Sequence, residues 1–278
     1  MCMRFFYISA FLFCFHHLAA ASRDSIPEVQ IEEVVLSAVR NGNTALGFTS
    51  DTLMDIDLFQ PAIKTLINRQ PGISAWNGEN FAQDIRISIR GFGARSAFGI
   101  RGIRMLMDGI PLTAPDGTTQ PDELSIFDIG SLEIVRSAMS ARLGNAAGGV
   151  IALKSPEYFN GWVGRAAVNS FGSLMAGAQH GIVKNKYRGF TSFSHNAFRG
   201  KRVYAASAST SVYHKSSIFL NDKWHVSILG GLYDSPIGND PGALTRKEFD
   251  ENPYQANARN RSFLAGETVR GGMAAVQS

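Results

Sequence analysis

The feature that most restricts what this chain can become is the alternation in its second half. From Lys223 to Asp234, Trp224, Val226, Ile228 and Leu232 fall on one face of an extended chain, and Lys223, His225 and Ser227 on the other. A period of two suits a strand whose two sides meet unlike surroundings. Arg165 to Phe171, Gly177 to Lys184, Tyr187 to Phe198, Val203 to His214 and Phe263 to Ala274 repeat the pattern less cleanly, with short polar turns between them. Segments of about 8 to 12 residues built this way are strands of a membrane barrel or of a soluble β-sandwich, and the period alone does not choose. Twenty-eight glycines and a charged fraction of only 18% fit a strand-rich chain with many turns in either case.

The texture changes near Pro156. Before it, Leu58, Phe59, Ala62, Ile63, Leu66 and Ile67 recur at helical spacing, and the turn Pro71, Gly72 follows. Strands are predicted at Ile85 to Ile89, Arg104 to Met107, Ile129 to Val135 and Val150 to Leu153, with glycine or proline turns between them. One helix and several short strands over about 130 residues make an α+β domain of ordinary size.

The start of the chain reads as an export signal. Arg4 precedes an apolar run from Phe5 to Phe15, and Ala19, Ala20 and Ala21 end at Ser22, so cleavage after Ala21 is expected. The run is too short for a spanning helix of about 20 residues, and His16 and His17 break it. Both cysteines, Cys2 and Cys14, lie inside this signal. A mature chain without cysteine has no disulfides, no thiolate nucleophile and no cysteine-ligated metal. His180, His195, His214 and His225 are too dispersed to form an H-x-x-x-H pair, so no metal site is expected. The net charge of +4 is weak and scattered, which argues against a nucleic-acid partner. There is no G-x-S-x-G or H-E-x-x-H, so no catalytic residues are assigned and no cofactor is expected.

Five motifs stand in order in the first half. They are Pro71, Gly72, Ile73; then Ile87 to Gly93, which reads I-S-I-R-G-F-G; then Leu106 to Leu112, L-M-D-G-I-P-L; then Ile129 with Leu132 to Arg136; and last Leu143 to Ile151, L-G-N-A-A-G-G-V-I. Each alone is strand-and-turn chemistry, in which glycine supplies positive φ and proline fixes a turn. Together, over Glu32 to Ser155, they resemble the plug of TonB-dependent outer-membrane receptors, transporters of scarce nutrients. The resemblance implies an α+β plug with a small mixed sheet, followed by antiparallel β-strands of an incomplete transmembrane β-barrel. It divides the chain into a signal (1–21), an N-terminal segment (22–45), the plug (46–155) and the first barrel strands (156–278).

The same resemblance marks Glu32, Glu33, Val34, Val35 and Leu36, within Ile31 to Ala38, as the TonB box. An extended β-branched segment can add to a partner's sheet edge, and the implied partners are TonB with ExbB and ExbD in the periplasm. An ordinary edge strand of the plug is the alternative. Ligand contacts are implied in two outward plug loops, at Trp76, Asn77 and Glu79 and at Asp116, Gly117 and Thr118. The substrate expected is a ferric siderophore or another metal chelate, and outer-membrane lipid would surround the barrel. Arg90, Arg101 and Arg104 are expected to face the barrel wall. Glu248, Asp250 and Glu251 could bind a cation or form a solvated acidic loop. Family barrels have about 22 strands, of which the 123 residues from Pro156 to Ser278 supply about a third, so a fragment is expected. The rival reading is a secreted β-rich binding protein without transport activity.

Overall fold

The computed structural model describes residues 48–52, 63–76, 80–94, 99–113, 117–119, 121, 124–136, 146–168, 172–221 and 223–278. All lie within one compact unit, 43–278. The signal, the TonB-box segment and the first part of the expected helix fall outside the described residues.

The first half supplies β1 (Phe48–Thr52), α1 (Lys64–Asn68), β2 (Ile73–Trp76), β3 (Arg86–Ile89), β4 (Ile100–Arg101), β5 (Ile103–Met107), β6 (Ile110–Pro111), β7 (Thr118–Thr119), β8 (Ser131–Val135) and β9 (Gly149–Lys154). A five-stranded sheet runs β1-β8-β9-β5-β6, parallel between β5 and β9 and antiparallel elsewhere. β9 is buried along five of its six residues, from Gly149 to Leu153, as a strand covered on both faces must be. Ile63, Leu66 and Ile67 on and beside α1 join Ile87, Ile89, Met105, Ile134 and Ile151 in one core. Asn68 ties α1 to β2 by imitating a neighbouring strand: its amide donates to the Ala75 carbonyl at 3.0 Å and its oxygen accepts from the Ala75 N–H at 2.7 Å.

The second half is a single antiparallel sheet in chain order, β10 (Gly161–Val168), β11 (Leu174–Lys184), β12 (Tyr187–Phe198), β13 (Ser207–Phe219), β14 (His225–Asn239) and β15 (Gly266–Gln277). We call it the wall. Its connections are short at one end, 185–186 and 220–224, and longer at the other. There 199–206 and 240–265 lie, the latter carrying α2 (Arg246–Glu251) and α3 (Ala258–Ser262). Among the described residues no helix is long and apolar enough to cross a membrane, which leaves strands untouched by that criterion.

Register assigns the two faces of the wall. Phe193, Val212 and Leu232 are aligned across β12, β13 and β14, and Ile228 lies beside Val276. All five are exposed, Leu232 at 69%. On the opposite face Ser192, Ser194, Ser211 and Ser227 are buried, together with Phe190, Tyr213 and Leu229, which pack into the plug core. The alternation expected from Lys223 to Asp234 is present, with one addition. The face that carries Ser227 also sends Leu229 into the plug, so it is not uniformly polar.

β15 sits later than its pattern predicts, at Gly266 to Gln277 in place of Phe263 to Ala274, and β13 does so by more. The expected segment Val203 to His214 is replaced by β13, Ser207 to Phe219. Arg202 holds the chain back, its guanidinium donating to the carbonyls of Gln255, Gly242 and Pro241 at 3.0, 2.6 and 3.1 Å. The Val203 N–H donates to Tyr254 O at 2.8 Å, so these residues belong to a folded loop pair and not to a strand.

Candidate functional site

The contact between plug and wall is built at three levels. Toward the short-turn end, β5 and β6 are joined by Asp108 and Gly109, with φ of 49° and 84°. Two successive positive φ values make the type I′ turn that Asp-Gly favours. The turn directs the Asp108 carboxylate to β13, where Oδ2 accepts from the Tyr213 hydroxyl at 2.5 Å and Oδ1 from Lys215 Nζ at 2.9 Å. Oδ1 also accepts from the Ser155 N–H at 3.1 Å, and the Asp108 carbonyl accepts from Gln277 Nε2 of β15 at 3.2 Å. The Asp108 side chain is 5% exposed. A carboxylate at that depth needs such partners, because stripping it of water unpaired costs several kcal/mol.

Midway, a 3₁₀ turn at Ile126–Asp128, capped by Ser125, presses against β11, β12 and β13. The Ser125, Ser194 and Ser211 hydroxyls form a chain with 2.7 Å steps. Gln179 Nε2 donates to Phe127 O at 2.5 Å, and Arg165 holds the Gln179 oxygen at 2.7 Å. The Phe127 ring lies over Gly177, where a Cβ would stand 2.6 Å from the ring. Asp128 accepts from the Ser192 hydroxyl. Burial pushes its carboxyl up to about 7, and the Ser192 bond offsets only part of that.

At the long-loop end, Asn80 Nδ2 and Gln83 Nε2 donate to the two oxygens of Asp240 at 2.9 and 3.4 Å. Phe81 meets Phe198 of β12 edge to face at 4.9 Å. Glu248, Asp250 and Glu251 are engaged in α2 itself. Glu248 completes a capping box with Thr245, whose hydrogen bonds lower its carboxyl, and Asp250 and Glu251 pair with Arg246 and Lys247. Among the described residues no three His, Cys, Asp or Glu side chains group as a metal site.

The residues singled out from sequence are placed as follows. Trp76 ends β2, paired with Arg86 and 47% exposed. Gly117 has φ of 82°, and Thr118 pairs with Arg101 in the β4–β7 ribbon, which brings one outward-loop residue beside one of the three arginines. Asn77, Glu79 and Asp116 lie outside the described residues. Arg90 donates to the Arg136 carbonyl at 3.2 Å, within the plug. Arg104 lies on β5 opposite Val150 of β9. Among the described residues an ion pair joins plug to wall with its anion, Asp108, on the plug and its cation, Lys215, on the wall. Sequence reading took Asp108 for a turn residue only, and nothing local distinguishes its second role.

Among the described residues, a small mixed-sheet domain is thus packed on one face of a six-stranded antiparallel wall. Residues 57–150, about a third of the chain, match the family model described as TonB-dependent Receptor Plug Domain. The fold is that of solved TonB-dependent receptors. The ferric citrate transporter FecA in its unliganded form superposes with a TM-score of 0.57 at 21% identity, over 76% of this chain and 34% of that one. The siderophore receptor PirA from Acinetobacter baumannii gives 0.57 at 19%, over 83% and 37%. The ferric yersiniabactin uptake receptor FyuA from Yersinia pestis gives 0.57 at 16%, over 69% and 32%. The chain thus spans about a third of the length of these proteins.

Proposed function

We propose that this plug and wall serve the active import of a ferric siderophore or another metal chelate across the outer membrane. The observation that carries the reading is the pairing of a receptor plug with a wall that is hydroxyl-rich toward the plug and apolar on its far side. A soluble binding protein would not turn Phe193, Val212, Leu232 and Val276 outward together, whereas a strand facing lipid does so. The long connections 199–206 and 240–265 would then face outside and the short turns the periplasm. Residues 1–21 would direct export. The iron-chelate class rests on what the similar solved receptors are named for.

Energy would enter at Glu32 to Leu36 by strand addition to TonB, itself driven by ExbB and ExbD. Ligand would meet Trp76, Asn77 and Glu79 and the loop of Asp116, Gly117 and Thr118. Arg90, Arg101 and Arg104 are proposed to face wall carboxylates beyond the six strands seen here. The test uses iron-starved cells making a receptor that contains this chain, with separate readouts of surface binding and energised uptake of radiolabelled ferric chelates. Val34→Pro or Val35→Pro should leave binding intact and abolish uptake, because proline removes a ladder donor worth ~0.5 to 1.5 kcal/mol and fixes φ. Val→Ala at either position should transport normally. Uptake that survived both prolines would move the coupling site, and failure to bind any iron chelate would remove the substrate class.

A further inference from the structure

We infer that Asp108 is the positioning residue that seats the short-turn end of the plug: its carboxylate, aimed out of the plug by a type I′ turn and received by Tyr213 and Lys215 of β13, is the contact that must break before this side of the plug can leave the wall. Three observations converge on it. The carboxylate is almost fully buried yet lies at the tip of a two-residue hairpin loop, where an aspartate would ordinarily face water. Its two wall donors stand on one face of one strand, two residues apart, at 2.5 and 2.9 Å. The Asp108 carbonyl is held as well, by Gln277 of β15 at 3.2 Å, and Lys215 also donates to the Ser155 hydroxyl at 3.4 Å.

The neighbouring hydroxyl bonds, which lie within the wall and the segment leading into it, are of another kind. Tyr158 and Ser217, and Ser217 and Ser227, share hydroxyl bonds of 2.9 and 2.7 Å that water replaces at little net cost. A charge-assisted bond inside a desolvated contact is roughly twice as strong, and separating its partners leaves a buried charge exposed to an apolar surround. The Asp108 contact is therefore stiffer than the hydroxyl bonds around it. The inference concerns plug retention and is independent of what is carried.

The experiment is hydrogen exchange of the full chain in detergent micelles, read separately on a plug peptide spanning 103–111 and a wall peptide spanning 226–233. Asp108→Asn removes the charge but keeps a residue that tolerates positive φ, and Lys215→Met removes the cation but keeps the stem. Each should raise exchange of the plug peptide roughly tenfold or more, with the wall peptide unchanged. The double variant should exchange no faster than the faster single, since both remove one contact. Lys215→Arg should restore protection, which a purely steric role of the lysine would not predict. Unchanged exchange in both singles, or effects that simply add, would overturn the assignment. So would a Gly109→Ala variant that alone reproduced the loosening while Asp108→Asn did not, because the turn and not the charge would then be the anchor.

Discussion

The plug and the wall are both made of strands, yet they divide their residues in opposite ways. In the plug Ile87, Ile134 and Ile151 are fully buried, and β8 and β9 are buried along almost their whole length, Glu133 included. In the wall Phe193, Leu232 and Val276 are exposed, and Ser192, Ser194 and Ser211 are buried. The wall's period of two carries no information about which of its faces is inside. What decides is the medium each side meets. The plug strands have a core around them, whereas the wall has the plug on one side and, in the function proposed, lipid on the other.

The largest effect that tests this contrast compares matched truncations. Ile134→Ala should cost about 2 to 5 kcal/mol by leaving a cavity in a fully buried site. Leu232→Ala should cost well under half of that, since the side chain is already exposed. Denaturant unfolding of the full chain in micelles measures both, and equal losses would mean that the outer face of the wall is a core face.

Next in size is a pH effect confined to the contact. The Asp128 carboxyl holds its proton to about 7 in the folded chain against an ordinary 3.8, because burial disfavours its charge. Between those values the folded state binds more protons than the unfolded one, so stability falls as pH rises through the window and levels off above it. Asp128→Asn should flatten that decline, by a few kcal/mol at most. A slope unchanged by Asp128→Asn would assign the decline to another group.

The smallest expected change sharpens the point where the regions touch. Gly177→Ala puts a methyl 2.6 Å from the rigid Phe127 ring, so the 3₁₀ turn must shift, at about 1 to 2 kcal/mol. Proteolysis or exchange at 124–130 should report it, with β14 and β15 unaffected. A silent Gly177→Ala would show that the turn sits loosely on the wall.

Much of the architecture was legible because it is local. The alternation from Lys223 to Asp234 marks β14, Tyr187 to Phe198 matches β12 residue for residue, and Asp108 and Gly109 form the expected turn. What was not legible depends on residues far apart in the chain. β13 starts late because Arg202 is bound to carbonyls 39 to 53 positions away. The role of Asp108 depends on Tyr213 and Lys215, at separations of 105 and 107. Asp128 sits beside a strand signal with no sequence mark of burial. Lys215, which receives Asp108 on the wall, sits inside an alternating strand where nothing in the sequence marks it out.

The serine row on the inner wall has a consequence for wetting. Ser192, Ser194, Ser211, Ser217 and Ser227 each carry a rotatable hydroxyl that both gives and takes a hydrogen bond. A surface of this kind is satisfied equally by a protein group or by a water molecule, so uncovering it strands no donor and needs no rearrangement of the backbone behind it. The wall is in that sense already finished as a water-bearing surface, and the plug occupies it in place of liquid.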